Sequence, residues 1–68
     1  MRDSFQISLR AARVNAGMTQ SFVAQKLRKN KQTIVNWEAG KTIPDIGNFE
    51  ALCNLYGVKK EYIFLPLK

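Results

Sequence analysis

The stretch KNKQTIVNWEAG, Lys29 to Gly40, is polar along most of its length but contains one isoleucine and one tryptophan. Asn30 can cap a helix here, because its side-chain oxygen can accept from the free N–H groups of the first turn. At about 100° per residue, Ile34 and Trp37 then lie together on one face. The pattern predicts a short helix that is anchored by a single apolar face.

The opposite face of this helix presents side-chain amides. Gln32 and Asn36 lie on it, and Lys31 and Val35 lie at its edge. Amides and an ammonium in this arrangement can read the edges of nucleic-acid bases. The same arrangement is also compatible with an ordinary solvated surface.

Composition favours one small domain whose stability comes from an apolar core. The chain has 68 residues, 46% of them apolar, which is ordinary for a globular protein. A single cysteine, Cys53, excludes an internal disulfide, and the absence of histidine argues against a structural metal. No apolar run is long enough for a membrane span, and MRDSFQIS lacks a signal-peptide core. We therefore expect a cytoplasmic protein without cofactor or metal.

The net charge of +6 is unevenly distributed. Residues 1–44 contain eight Lys and Arg against two acids, whereas residues 45–68 contain three of each. A polyanionic partner would explain a basic half joined to a neutral half. The alternative is that the charge serves solubility, and composition alone does not separate the two.

Turn and cap residues divide the chain into five short helical segments. Four segments follow plausible N-caps, at Ser8, Thr19, Asn30 and Asp45. The last segment, VKKEYIFLPLK, predicts a brief turn or helix that ends by Pro66. No strand, repeat or linker is evident. The sequence predicts one all-α domain over residues 1–68.

Residues 19–45, TQSFVAQKLRKNKQTIVNWEAGKTIPD, resemble the helix-turn-helix core of the phage-repressor family, the Cro and lambda-repressor-like DNA-binding domains. The resemblance rests on Gly-x-Thr-Gln, a small residue at Ala24, Thr-Ile, Trp-Glu-x-Gly and the proline that follows. It extends through LRAARVNAGMTQ before this stretch and ALCNLYGVKKEYIF after it. It implies a five-helix fold with the helix-turn-helix at about 19–38. It also implies no catalysis and binding to duplex DNA, usually as a dimer on a palindromic operator.

In this family the helix that begins at Lys31 enters the major groove. Gln32 and Asn36 would then pair with adenine N6 and N7, and Lys31 would donate to guanine O6 and N7. The methyl groups of Val35 are weaker candidates, for contact with a thymine methyl.

The phosphate contacts that we expect lie around the same helix. Gln20 would begin its helix after the Thr19 cap, where free N–H groups and the helix dipole favour an anion. Four further candidates are Arg28, Lys29, Thr33 and Lys41. The basic ones would supply affinity and salt dependence rather than sequence choice.

The resemblance also implies an ion pair between Arg13 and Glu38, with two independent surface charges as the alternative. Two positions depart from the family pattern. The turn between the two helices normally has a left-handed Gly followed by an apolar residue, but here it has Arg28 and Lys29. A left-handed Arg costs about 1 kcal/mol relative to Gly, which added charge near phosphates would offset. Phe22 replaces a usually polar residue and is expected to be half-exposed.

The C-terminal segment is a candidate dimer interface because it is apolar and lies in the uncharged half. We expect Ile63 to be buried, with some of the remaining apolar side chains exposed for a partner: Tyr62, Phe64, Leu65 and Leu67. The alternative is a tail that folds back over the first and fourth helices of a monomer.

These features predict a sequence-specific, double-stranded-DNA-binding transcriptional regulator, of phage or prophage repressor type. A protein-interaction module on the same fold, such as an antitoxin or anti-repressor component, is the alternative. The short segment after the fourth helix counts against a toxin-binding tail. An enzyme is disfavoured, since the chain has no histidine and its five carboxylates are not paired with a nucleophile at motif spacing. No segment suggests a small-molecule ligand.

Overall fold

The computed structural model describes residues 6–65. Four α-helices follow one another along the chain: α1 at Leu9–Asn15, α2 at Gln20–Leu27, α3 at Lys31–Ala39 and α4 at Ile46–Tyr56. A single 3₁₀ turn, Lys60–Tyr62, follows α4. No helix within residues 6–65 has the length and apolarity that a membrane crossing requires.

The predicted N-caps hold all four α-helices. The side chains of Ser8, Thr19, Asn30 and Asp45 each accept a hydrogen bond from the backbone N–H three residues further on. Each cap residue has an extended backbone, as a residue that leads into a helix must. The helix starts are therefore set by local chemistry that the sequence shows directly.

The expected fifth helix does not form. Ile63 directly follows the 3₁₀ turn and has φ −110° and ψ 128°, an extended conformation. Its neighbours pair with the segment that precedes α1: the Ile7 N–H donates to the Tyr62 carbonyl at 2.8 Å, and the Phe64 N–H donates to the Ile7 carbonyl at 3.1 Å. This isolated parallel bridge takes up backbone groups that a helix would use internally, so the segment stays extended.

One apolar core joins all of these elements. Val23 and Ala24 of α2 pack with Ile34 and Trp37 of α3, and all four are at most 5% exposed. The remaining buried members come from α1, α4 and the C-terminal tail, the segment that follows Gly57: Leu9, Ala12, Leu52, Cys53, Tyr56 and Ile63. The small side chain of Ala24 lets α2 and α3 approach closely. The core thus fixes the orientation of α3 from its Ile34–Trp37 face.

Arg28 adopts the left-handed conformation at the end of α2, with φ 59° and ψ 43°. It is the one non-glycine residue with positive φ in the described part of the chain. The Lys29 N–H donates to the Ala24 carbonyl at 2.9 Å and closes the helix. Three residues therefore suffice to connect α2 to α3.

Candidate nucleic-acid interface

The outer face of α3 is open to solvent. Lys31 and Gln32 are exposed, and Val35 and Asn36 are half-buried. Because Ile34 and Trp37 are buried on the other face, α3 cannot rotate without losing its anchor. The polar face is therefore held in one orientation by the core.

Two amides on this face are bonded to each other. Gln32 Nε2 donates to Asn36 Oδ1 at 3.0 Å, in an exposed contact between residues four apart on α3. This contact lies within α3 and does not bond either amide to another helix. Because the contact is exposed, the amide groups that it leaves unused can be reached by a ligand.

Basic side chains lie at both ends of α3. Arg28, Lys29 and Lys31 at its start and Lys41 after its end are all exposed. Glu38 is the single acidic residue between positions 6 and 44, and its side chain is 6% exposed. The solvent around α3 therefore meets positive charge with little nearby negative charge to oppose it.

Glu38 is neutralised by a half-buried ion pair with α1. Arg13 Nε donates to Glu38 Oε2 at 2.7 Å and Arg13 Nη2 donates to Oε1 at 3.3 Å, in a two-pronged contact. Arg13 Nη1 donates to the Met18 carbonyl at 2.8 Å. The hydrogen bond to Glu38 raises the pKa of the Arg13 guanidinium. The pair ties α1 and the following turn to the last turn of α3.

Gln20, the first residue of α2, is part of the same network. Its Nε2 donates to Glu38 Oε1 at 3.0 Å, and the side chain is half-buried. One hydrogen of the Gln20 amide is thus used inside the protein, while this bond leaves the second hydrogen and the oxygen for other partners. The start of α2, the end of α3 and α1 are held together at one carboxylate.

These contacts fix a pair of short helices, α2 and α3, joined by a three-residue turn, with the polar face of the second helix outward. A family model described as helix-turn-helix matches residues 9–63 of the chain. The chain belongs to this helix-turn-helix family. Cro- and lambda-repressor-like domains are typical of it, as the sequence resemblance predicted. No curated protein and no solved structure matches the chain.

The family is one of DNA-binding regulatory domains. The matched residues run from the start of α1 to Ile63. They include the ion pair, the Gln32–Asn36 contact and every exposed basic residue around α3. The prediction of a DNA-binding helix-turn-helix domain is confirmed at this level.

Thr33 has its hydroxyl directed to Asn30, the N-cap of α3. Its Oγ1 donates to Asn30 Oδ1 at 3.0 Å, and its backbone N–H donates to the same oxygen at 3.0 Å. A hydroxyl has one hydrogen to donate. A phosphate contact by Thr33 would therefore require the hydroxyl to rotate away from Asn30.

The tail leaves two aromatic side chains at the surface of the helix-turn-helix domain. Tyr62 and Phe64 are each 46% exposed, whereas Ile63 between them is 5% exposed. Leu65 packs partly against the core, so less of it is available to a partner than of the two aromatics. Leu67 lies outside the described residues.

Sequence reasoning did not anticipate the two amide contacts. The four-residue spacing of Gln32 and Asn36 on one helix face was a usable signal for the first. The Gln20–Glu38 bond joins positions 18 residues apart and depends on how α2 and α3 pack, so no local pattern indicated it. Phe22, expected to be half-exposed, is 40% exposed and lies 5.6 Å below the Lys26 ammonium.

Proposed function

We propose that the protein is a sequence-specific transcriptional regulator of phage or prophage repressor type, acting as a single helix-turn-helix DNA-binding domain over residues 1–68. In this proposal α3 enters the major groove of duplex DNA, which has the width to admit one α-helix. The observation that carries it is the outer face of α3, where Gln32 and Asn36 are presented opposite the buried Ile34 and Trp37.

Base reading is assigned to four residues of α3. Gln32 and Asn36 supply amide donors and acceptors, and Lys31 supplies an ammonium for guanine O6 and N7. Val35, half-buried beside them, offers methyl groups for a thymine methyl. The short reach of one such helix limits these contacts to a few base pairs.

Phosphate contacts are assigned to the residues around α3 and to the start of α2. Arg28, Lys29 and Lys41 are exposed and basic, and they neutralise phosphates without regard to sequence. Gln20 contributes the second hydrogen of its amide together with the N–H groups of the first turn of α2. Thr33 is the weakest of the proposed contacts, because its hydroxyl is bonded to Asn30.

A second copy of the chain is part of the proposal, at least on DNA. One recognition helix touches too few base pairs for the usual affinity of an operator complex. Two copies related by a two-fold axis would read a palindrome whose half-sites lie about 34 Å apart. The exposed aromatics of the tail, Tyr62 and Phe64, are the proposed contact together with Leu65, and Leu67 is a further candidate outside the described residues.

The competing proposal is a protein-interaction module on the same fold, for which the exposed tail aromatics are the supporting observation. The two proposed functions differ in the role of the exposed positive charge around α3, which binds DNA phosphates only in the regulator. Selection of bound sequences from a random duplex pool separates them. A regulator enriches one palindromic consensus, and a protein-interaction module enriches none.

A further inference from the structure

We infer that Asn36 is a positioning residue for Gln32, and that the two amides divide base reading between them rather than both reading adenine. Gln32 reads an adenine, while Asn36 donates to an acceptor-bearing base edge, that of guanine or thymine. This inference rests on the proposed function. It comes from the Gln32–Asn36 hydrogen bond, which limits what each side chain can still offer to DNA.

A primary amide has two N–H donors and one oxygen with two lone pairs. Gln32 uses one N–H on Asn36, and this can be the hydrogen that points away from its own oxygen. The oxygen and the other hydrogen then remain side by side. That pair matches adenine in the major groove, whose N6 donates and whose N7 accepts.

Asn36 is left with a different set of unused donors and acceptors. Its oxygen accepts from Gln32 at 3.0 Å, while both hydrogens on Nδ2 are unused by this contact. That oxygen keeps a second lone pair, but a bidentate contact with adenine would require it to accept the N6 hydrogen while it still accepts the Gln32 hydrogen. Two donors instead suit the acceptors of guanine, O6 and N7, or the O4 of thymine.

The position of Asn36 on α3 suits it to hold Gln32 in place. Asn36 is half-buried next to Trp37, whereas Gln32 is exposed in the first turn of the helix. The backbone carbonyl of Asn36 accepts from the Lys41 N–H at 3.0 Å, which secures the last turn of α3. The better-anchored amide therefore restricts the rotation of the freer one, so that less side-chain entropy is lost on binding DNA.

The spacing of the two residues also limits which base pairs they meet. Four residues of helix correspond to about 6 Å along the axis, and base pairs are stacked about 3.4 Å apart. The bases read by Gln32 and Asn36 are therefore neighbours or lie two steps apart. Both must fall within one half-site.

The inference is tested by competition binding with a panel of duplexes in which each base pair of the selected half-site is replaced in turn. The variants are Gln32→Ala, Asn36→Leu and Asn36→Asp. Leu has the branched shape of Asn, with two larger methyl groups in place of the oxygen and nitrogen, and has no acceptor, whereas Asp keeps the acceptor and loses the donors. The readout is the ratio of affinities for each base at each position, so that a general loss of affinity from the Asp charge cancels.

Gln32→Ala should reduce an adenine preference at one position about tenfold, within the range known for a bidentate contact. Asn36→Leu should reduce that same preference by a similar factor although Gln32 is unchanged. Asn36→Asp should retain it, and at a second position should shift the preference from guanine or thymine towards cytosine, whose N4 donates to a carboxylate. Circular dichroism identical to wild type shows that each variant is folded.

An adenine preference that survives in Asn36→Leu but is lost in Gln32→Ala would overturn the inference while leaving the proposed function intact. Loss of the adenine preference in Asn36→Asp would overturn it as well, because the acceptor is retained there. A wild-type protein without any base preference would overturn both the inference and the proposed function.

Discussion

At the scale of single residues, Glu38 is the side chain that connects the most helices. It accepts from Arg13 of α1 and from Gln20 of α2, while its side chain is 6% exposed. A carboxylate this shielded is stable only because its partners are in place. The orientation of α3 therefore depends on a charge pair that is shielded from solvent.

Arg13→Ala should destabilise the fold by about 3–5 kcal/mol, because it leaves a shielded carboxylate without its cation. Glu38→Ala should do likewise, and the double variant should lose less than the sum, which gives a positive coupling energy in a double-mutant cycle. Urea denaturation measures each free energy of unfolding.

The chain provides a matched control for that cycle. Lys60 and Glu50 also form an ion pair, at 3.4 Å, but their side chains are 60% and 53% exposed. The same cycle on this pair should give a coupling of at most about 1 kcal/mol. Equal couplings for the two pairs would contradict the assignment of a shielded, structural pair.

Tyr56 should make the fold sensitive to high pH. Burial, and to a smaller extent the nearby Glu38 carboxylate, raise the pKa of Tyr56 from 10.0 to about 12. Because the folded pKa is above the unfolded one, the stabilisation is fully present below pH 10 and is lost as the pH rises through about 12. Thermal melting between pH 9 and pH 12 should show this decline, and Tyr56→Phe should make it shallower. An unchanged slope in Tyr56→Phe would mean that other groups cause the decline.

At the scale of elements, the connection between α2 and α3 carries a measurable strain. Arg28 has φ 59°, a conformation in which a side chain costs about 1 kcal/mol and glycine costs little. Arg28→Gly should therefore raise the free energy of unfolding by about 0.5–1 kcal/mol, and Arg28→Ala should not. Chemical denaturation compares the two.

Both Arg28 variants lose the same charge, so the two should lose similar affinity for DNA. This separates the backbone effect from the electrostatic one. If Arg28→Gly were no more stable than Arg28→Ala, the left-handed conformation of Arg28 would not be a source of strain.

The four caps and the apolar faces of the α-helices could be predicted because they depend on neighbours within one or two turns. Ile34 and Trp37 were assigned to one apolar face from spacing alone, and both are buried. The count of five helices was not confirmed for the opposite reason, since the last segment forms only a 3₁₀ turn. Whether residues 60–64 continue as a helix is decided by pairing with Ile7, some 55 positions away, and local pattern carries no information on that.

The same distinction applies to the candidate site. Residue type and helical phase were enough to place Gln32, Asn36 and Lys31 on one outward face. The bond between Gln20 and Glu38 depends on the packing of α2 against α3, which the sequence does not express locally. Which side-chain donors and acceptors remain free for a ligand therefore could not be predicted from the sequence.

At the scale of the whole molecule, the basic and neutral halves have separate proposed roles. The segment that forms α4, the 3₁₀ turn and the tail has no net charge over residues 45–68, and it exposes Tyr62 and Phe64. Two copies can approach through such a surface without the repulsion that the basic halves would produce.

We expect sedimentation with a palindromic duplex to show two copies bound per duplex at saturation. Phe64→Ser should weaken binding of the second copy, and Val14→Ser, at an apolar residue on α1 that is even more exposed (56% against 46%), should not. Strictly one copy per two-half-site duplex would rule out the dimer. Equal effects of the two substitutions would rule out the tail as its interface.

The central claim is that the outer face of α3 reads DNA sequence while the basic residues around it supply general affinity. The most direct measurement is the ratio of dissociation constants for a selected and a scrambled duplex, taken at several salt concentrations for wild type, Gln32→Ala and Lys29→Ala. Gln32→Ala should bring this ratio closer to one, by the factor that corresponds to about 1–3 kcal/mol of lost discrimination, with the fold unchanged. Lys29→Ala should weaken both duplexes alike and reduce the salt slope by about 0.9. If Gln32→Ala retained the wild-type ratio, α3 would not be the helix that reads the groove.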